Sequence, residues 1–202
     1  PGTYAASLKN IEIILRGLHA GVEAFNRWSF VNRGDLDGQW QLVDTWDPEK
    51  DELLPRFRPH PNAYYAFGLV SRFMPRGSAV LNTHVDGVIG GWQQYVLAEA
   101  LRDPAGNLSV IVLNYTEQPA SIELALGNIG GDLILHRYRL TEADRNRTDV
   151  KLEPSAEFAL TESRPVLEDQ MPGLSAAVYS ARKLTADEPA IAPVDQDVAR
   201  VS

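Results

Sequence analysis

Residues 108–115, Leu-Ser-Val-Ile-Val-Leu-Asn-Tyr, decide the fold. Read with a period of two, Leu108, Val110, Val112 and Asn114 point one way and Ser109, Ile111 and Leu113 the other, and both sets are largely apolar. A strand apolar on both faces belongs in the middle of a layered structure, covered from both sides. Outward from it, short strand-like runs recur every dozen residues or so. Upstream lie SAVLNTHV (78–85) and QYVLAEALR (94–102); downstream follow SIELAL (121–126), LILHRYRL (133–140), AEFALT (156–161) and LSAAVYSARKL (174–184). Turn chemistry separates them at Asp86-Gly87, Asp103-Pro104-Ala105-Gly106, Glu117-Gln118-Pro119 and Gly130-Gly131, the last read as a hairpin turn. About seven strands at this spacing predict an antiparallel β-sandwich.

The first 78 residues have a different character. Tyr4, Leu8, Ile11, Leu15 and Leu18 recur at spacings of four and three, which predicts an amphipathic helix from Thr3 to Leu18 with Thr3 as N-cap. The run Gly21–Asn32, GVEAFNRWSFVN, reads as a buried strand. A long polar loop studded with aromatics follows. A second helix is expected from Asn62 to about Met74, entered through Pro61 and stopped by Pro75 and Gly77. A lone strand between two helices leaves both edges of its ladder unpaired, so something else must pair with it. The division is therefore residues 1–78, an α/β piece; 79–185, the sandwich; and 186–202, a tail too poor in apolar surface to nucleate structure.

With 202 residues, 44% hydrophobic and 23% charged, the chain has the composition of a globular protein, and no apolar run approaches the roughly 20 residues of a membrane span. A net charge of −8 with scattered basic residues argues against nucleic acid. Zero cysteines exclude disulfides, thiol nucleophiles and Cys-ligated zinc, and leave the compartment open. His19, His60, His84 and His136 are too dispersed for a metal set, Ser29 and Ser175 lack a nucleophile elbow, and Gly127–Gly131 is not followed by the Lys-Ser/Thr of a phosphate loop. No metal or cofactor is expected. Asn107, Asn114 and Asn146 head glycosylation triplets. Pro1 is not an initiator Met, so the chain is expected to be processed or part of a longer protein.

The order of segments carries a resemblance. A helix, then AFNRWSFVNRGDLDGQW (24–40), then PNAYYAFGLVSRFMPRGSAVL (61–81), then a sandwich opening near ALRDPAGNLSVIVLNY (100–115) resembles the C-terminal part of a clan A retaining glycoside hydrolase. Glycoside hydrolase family 30 is the most similar, and family 39 next. The resemblance implies the end of a (β/α)8 TIM barrel followed by an antiparallel β-sandwich: the helix after strand seven, strand eight at Gly21–Asn32, and the last barrel helix at Asn62–Met74. It also implies that the two catalytic glutamates, which such enzymes hold roughly 5 Å apart, lie upstream of Pro1, so that this chain alone is inactive. Glu12, read as solvent-facing, and Glu23, Glu49, Asp51 and Glu52 inherit neither role. The partners implied are the upstream barrel, possibly as a separate or cleaved chain, and a glycoside or oligosaccharide.

What carries over is support of the sugar. Trp28 matches the tryptophan that floors these active sites, and the resemblance implies a cis peptide between Trp28 and Ser29. The alternative is a core Trp wedged between strand and helices. Asn32, Arg33, Asp35, Asp37, Trp40 and Trp46 fall in the loop at the catalytic end of the barrel, where carboxylates and amides bond hydroxyls and aromatics stack on rings. Turn chemistry at Asp35–Gly38 and loop packing by Trp40 and Trp46 explain the same residues equally well. The competing function is a non-catalytic carbohydrate-binding or structural β-sandwich.

Overall fold

The computed structural model describes residues 2–26, 30–31, 41–47, 49–86 and 95–184. Among these it holds two α-helices, α1 (Tyr4–His19) and α2 (Ala63–Ser71), and ten strands. The strands are β1 (Val43–Asp47), β2 (Glu52–Pro59), β3 (Ala79–Val80), β4 (Val96–Arg102), β5 (Leu108–Asn114), β6 (Ala120–Ala125), β7 (Leu133–Leu140), β8 (Ala156–Leu160), β9 (Val166–Met171) and β10 (Ser175–Ser180).

One antiparallel sheet runs in the order β3-β4-β5-β10-β7-β8, and β6 and β9 form a separate two-stranded sheet. β5 and β10 pair through Ser175–Asn114 to Ser180–Ser109, and every residue of both strands is buried. Their alternation divides the core. Ile111, Leu113, Ala176 and Val178 join Leu97 and Leu101 of β4 under the helices. Leu108, Val110, Val112, Ala177 and Tyr179 face Leu167 and Met171 of β9 on the other side. Each fully buried Leu or Val contributes about 1.5–3 kcal/mol, so two continuous apolar faces require two covering layers.

The helix layer follows from local chemistry. The Thr3 hydroxyl accepts the Ala6 N–H at 3.2 Å, so α1 starts where the sequence places it. Tyr4, Leu8, Ile11, Leu15 and Leu18 are all buried. Arg16 and His19 in the last turn complement the helix dipole, and Gly21 takes the left-handed backbone (φ 82°) that ends the segment. α2 is shorter than the spacing predicts, with Phe73 and Met74 in the turn that follows. Asn62 precedes it with φ 69°, and its side chain does not cap the helix. Its Nδ2 donates to Gly2 O and Asn146 Oδ1, both at 3.0 Å, while the Asn146 N–H donates to Asn62 Oδ1 at 2.8 Å. This latch joins the chain start, α2 and the segment after β7.

The opposite layer is held by charge. Asp169 of β9 accepts Arg137 Nη1 at 2.8 Å on both oxygens, Arg139 Nη2 at 2.6 Å and the Tyr179 hydroxyl at 2.6 Å. Burial pushes the Asp169 carboxyl up, but the Tyr179 hydroxyl and the Arg137 guanidinium outweigh it and hold the group below the usual range. Two further clamps act at the end of this layer. Asn114, fully buried, donates to the carbonyls of Gln118 and Pro172 at 2.9 Å each. At Gly173 the chain passes so close to the Glu117 carbonyl that any Cβ would collide with backbone.

Several expectations are corrected. Of the expected strand eight, Val22–Asn26 lie in irregular chain, residues 27–29 and 32 lie outside the described residues, and Val31 makes a parallel bridge to Val43. A parallel strand needs neighbours on both sides, and the described residues supply no ladder for it. The expected loop before α2 contains the β1–β2 hairpin, which Pro55, Pro59 and a charged turn disguise in the sequence. SAVLNTHV keeps ladder pairing only at Ala79–Val80 and then runs beside β4 through Leu81 N to Ala100 O at 2.8 Å. β9 was not anticipated, because Glu168, Asp169 and Gln170 break its apolar pattern. The Gly130-Gly131 turn joins β6 to β7, strands of different sheets, and is no hairpin. The glycosylation triplets are structural: Asn107 Nδ2 bonds Asp103 Oδ2 at 2.9 Å, and Asn114 and Asn146 are engaged as above. The tail lies outside the described residues.

Two outcomes follow. Asp169→Asn leaves Arg137 and Arg139 without a counter-charge and should lower unfolding free energy by about 3 kcal/mol at pH 7, read by chemical denaturation. Because the folded carboxyl titrates below its unfolded value of about 3.9, its contribution is present above that pH and fades as pH falls through the folded value, so the gap to wild type should close in acid. Gly173→Ala should destabilise by about 1–3 kcal/mol or more, with Gly130→Ala, which meets open space but sits at φ 67°, as the comparison for strain without collision.

Candidate functional site

The described part of the expected sugar-contacting loop is the β1–β2 hairpin and its root. The Phe30 carbonyl accepts the N–H groups of Leu42 at 3.1 Å and Val43 at 2.8 Å, and the Leu42 carbonyl accepts the His60 N–H at 2.8 Å. These bonds fix where the hairpin leaves the body. Its pairing runs Val43–Pro59 and Asp44–Arg58, then resumes at Trp46–Leu53, so that residues 54–57 bow out opposite Thr45. The irregularity exposes Phe57 (57%) beside Arg56 and Arg58. Asp44 takes Gln41 Nε2 at 3.0 Å and lies 3.6 Å from Arg58 Nε.

Of the residues singled out in the sequence, only Trp46 falls in the described part. It is half-buried on β1, and its Nε1 is shielded from solvent with no hydrogen-bond partner among the described residues. Trp28, Asn32, Arg33, Asp35, Asp37 and Trp40 lie outside the described residues, as do Ser29 and its peptide bond with Trp28.

The acidic residues divide clearly. Glu12 is buried rather than solvent-facing, and pairs with Lys9 at 2.6 Å and Arg16 at 2.8 Å. Burial alone would raise its carboxyl, but the bonds from Lys9 and Arg16 leave it lowered, the state of a structural ion-pair member. Glu23, Glu49, Asp51 and Glu52 are exposed. The acid that sequence reading missed is Glu99, 4% exposed, whose Oε1 lies 2.8 Å from His19 Nδ1. Burial raises its carboxyl against the opposing pull of His19. A signal was present: in β4, Glu99 shares the inward face with Leu97 and Leu101. His19 and His84, distant in sequence, line one cavity of about 250 Å³ with Glu99. Among the described residues no three of His, Asp and Glu converge as a metal site. Each of the buried carboxylates Glu12, Glu99 and Asp169 faces a base, none another carboxylate.

No protein-family model matches the sequence, and no curated protein matches it. The fold is shared with solved glycoside hydrolases. The catalytic domain of family 30 xylanase C from Talaromyces cellulolyticus superposes with a TM-score of 0.58 at 16% identity, covering 89% of this chain and 35% of that one. The family 30 subfamily 8 xylanase Xyn30A from Clostridium acetobutylicum gives 0.61 at 11% identity, covering 89% and 39%. An arabinose-bound family 51 α-L-arabinofuranosidase gives 0.60 at 12%, covering 88% and 27%. The chain therefore has the fold of part of a glycoside hydrolase of this kind, family 30 foremost, as the order of its segments implied. It spans well under half the length of these enzymes.

If Trp46 Nε1 is held for a ligand, Trp46→Phe removes a donor without breaking a bond. Since an unpaired buried N–H costs about 1–3 kcal/mol, the substitution should leave the stability of the chain unchanged or slightly raised in denaturant titrations. A loss of more than about 1 kcal/mol would show that the indole N–H is bonded within the protein.

Proposed function

We propose that this chain is the C-terminal portion of a retaining glycoside hydrolase: the end of a (β/α)8 barrel, with strand eight carrying Trp28, and an accessory β-sandwich packed on it. The acid/base and nucleophile glutamates belong to the preceding part of the enzyme, so this chain alone does not hydrolyse glycosides. In retaining chemistry the two carboxylates flank the anomeric carbon, and Trp28 supplies a flat face for the sugar beneath them. Asn32, Arg33, Asp35, Asp37, Trp40 and Trp46 border the same opening and contact the substrate, a glycoside or oligosaccharide.

The observation that carries this reading is apolar surface left exposed at the helical end. Large apolar side chains stand in solvent there: Ile13 (57%) on α1, then Val22, Phe30 (56%) and Val31. A groove of about 270 Å³ lined by Phe30, Tyr64, Phe67 and Leu152 continues this surface over α2. Contiguous apolar surface of this kind is covered in a working protein, and the flanking strands and helices of a barrel would cover it. The fold shared with family 30 enzymes over 89% of the chain supports the same arrangement.

The second reading, a carbohydrate-binding or structural sandwich without catalysis, draws on the fully buried strands β5 and β10, whose core lies within this chain. The two part on one experiment. Supplied with the preceding part of its own protein, the chain should form a complex that turns over aryl glycosides, and the chain by itself should show no turnover. Trp28→Ala in the complete enzyme should lower turnover by about one to two decades if stacking strengthens in the transition state, with stability less affected. Unchanged turnover with a large loss of stability would place Trp28 in the core.

A further inference from the structure

The six-stranded sheet is wider than the two-stranded sheet that covers it. β9 lies against β8 and β10, and toward β4 the cover ends. β4 there presents the small side chains of Ala98 and Ala100, with Arg102 at its end, so a cleft of about 500 Å³ opens between β4, β6 and the 126–132 connection. That size lies within the roughly 300–1,000 Å³ of small-molecule sites. Its floor is aliphatic, formed by Ala98, Ala100, Val110 and Leu124.

The rim is polar and incompletely used. The Asn82 side chain is exposed and makes no bond among the described residues. Asn128 spends its Oδ1 on the Gly130 N–H at 2.9 Å and keeps its Nδ2. Asn107 spends its Nδ2 on Asp103 and keeps its Oδ1. Arg102 spends one Nη1 bond on the Gly106 carbonyl at 3.1 Å.

We propose that this cleft is a carbohydrate-binding site on the sandwich, separate from the barrel end, taking one or two neutral pyranose units. Amides that both donate and accept match hydroxyls, which do the same. The aliphatic floor suits the C–H faces of a sugar ring. Amides dominate this rim, Asn82, Asn107 and Asn128, beside one permanent cation, Arg102, whose guanidinium already bonds the Gly106 carbonyl, so a neutral polyhydroxyl ligand is favoured. An alkyl chain would fit the floor but strand the rim amides without water. The assignment does not rest on the chain completing a barrel.

The test is titration of the ¹⁵N-labelled full chain with cellobiose, xylobiose and mannobiose, and separately with dodecanoate as an aliphatic probe. Saturable shifts at residues 98–110 and 123–129 with at least one disaccharide are expected. Ala100→Leu fills the floor and should weaken that binding by about tenfold or more. The exposed Asn82→Ala should weaken it likewise, and serves if Ala100→Leu does not fold. Shifts confined to residues 30–31 and 41–46 would put the sugar at the hairpin and overturn the cleft while favouring the barrel reading. Absence of saturable shifts with all three disaccharides, or saturation by dodecanoate alone, would overturn it outright.

Discussion

The structure depends on the burial of β5 and β10 on both faces. Two adjacent strands whose every residue leaves water cannot end a sheet or face solvent, so they must be central and must be covered twice. β4 and β7 flank them as neighbours, α1 and α2 cover one face, and β6 with β9 covers the other. The small residues at the crossing matter as much as the large ones. Ala176 and Ala177 leave room for Tyr138 and Tyr179, both fully buried. The buried hydroxyls of Ser109 and Ser180 bond each other at 2.8 Å, and Ser180 Oγ also accepts the Arg182 N–H at 3.0 Å.

The two covers are attached by different physics. The helices are held by apolar area, and across their interface with the sheet the buried carboxylate of Glu99 on β4 is answered by His19 at the end of α1. The small sheet buries less and leans on charge, through Asp169 against Arg137, Arg139 and Tyr179. A carboxylate kept well bonded at a partly buried interface specifies which strand lies over which more than it adds net stability, since its desolvation offsets much of its attraction.

This division of labour bears on function. On the proposed reading the helix side joins the catalytic body of the enzyme, and the hairpin rooted at the Phe30 carbonyl reaches from that side toward the substrate. The far side of the sheet, only partly covered, is free to carry a second recognition surface. Both would use the same chemistry of sugar recognition, aliphatic or aromatic faces for the ring and amides or charged groups for its hydroxyls, on opposite faces of one sheet.

The sequence by itself determined what local chemistry controls. The cap at Thr3 and the stripe from Tyr4 to Leu18 placed α1 to within a residue of its observed ends. The doubly apolar run at 108–114 marked the central strand, and the order of segments pointed to the glycoside hydrolase fold. The tertiary structure alone decided the partners. That β10 lies between β5 and β7, that Asp169 makes Val166–Met171 a strand rather than a charged loop, and that Asn62 and Asn146 latch across the chain are facts of distant encounter, and residue type carries no record of distance. The stretch around Trp28 shows the limit most clearly. Its composition reads as a buried strand, yet Val22–Asn26 are irregular in the structure, because a strand is defined by the neighbours that accept its hydrogen bonds and not by its own residues.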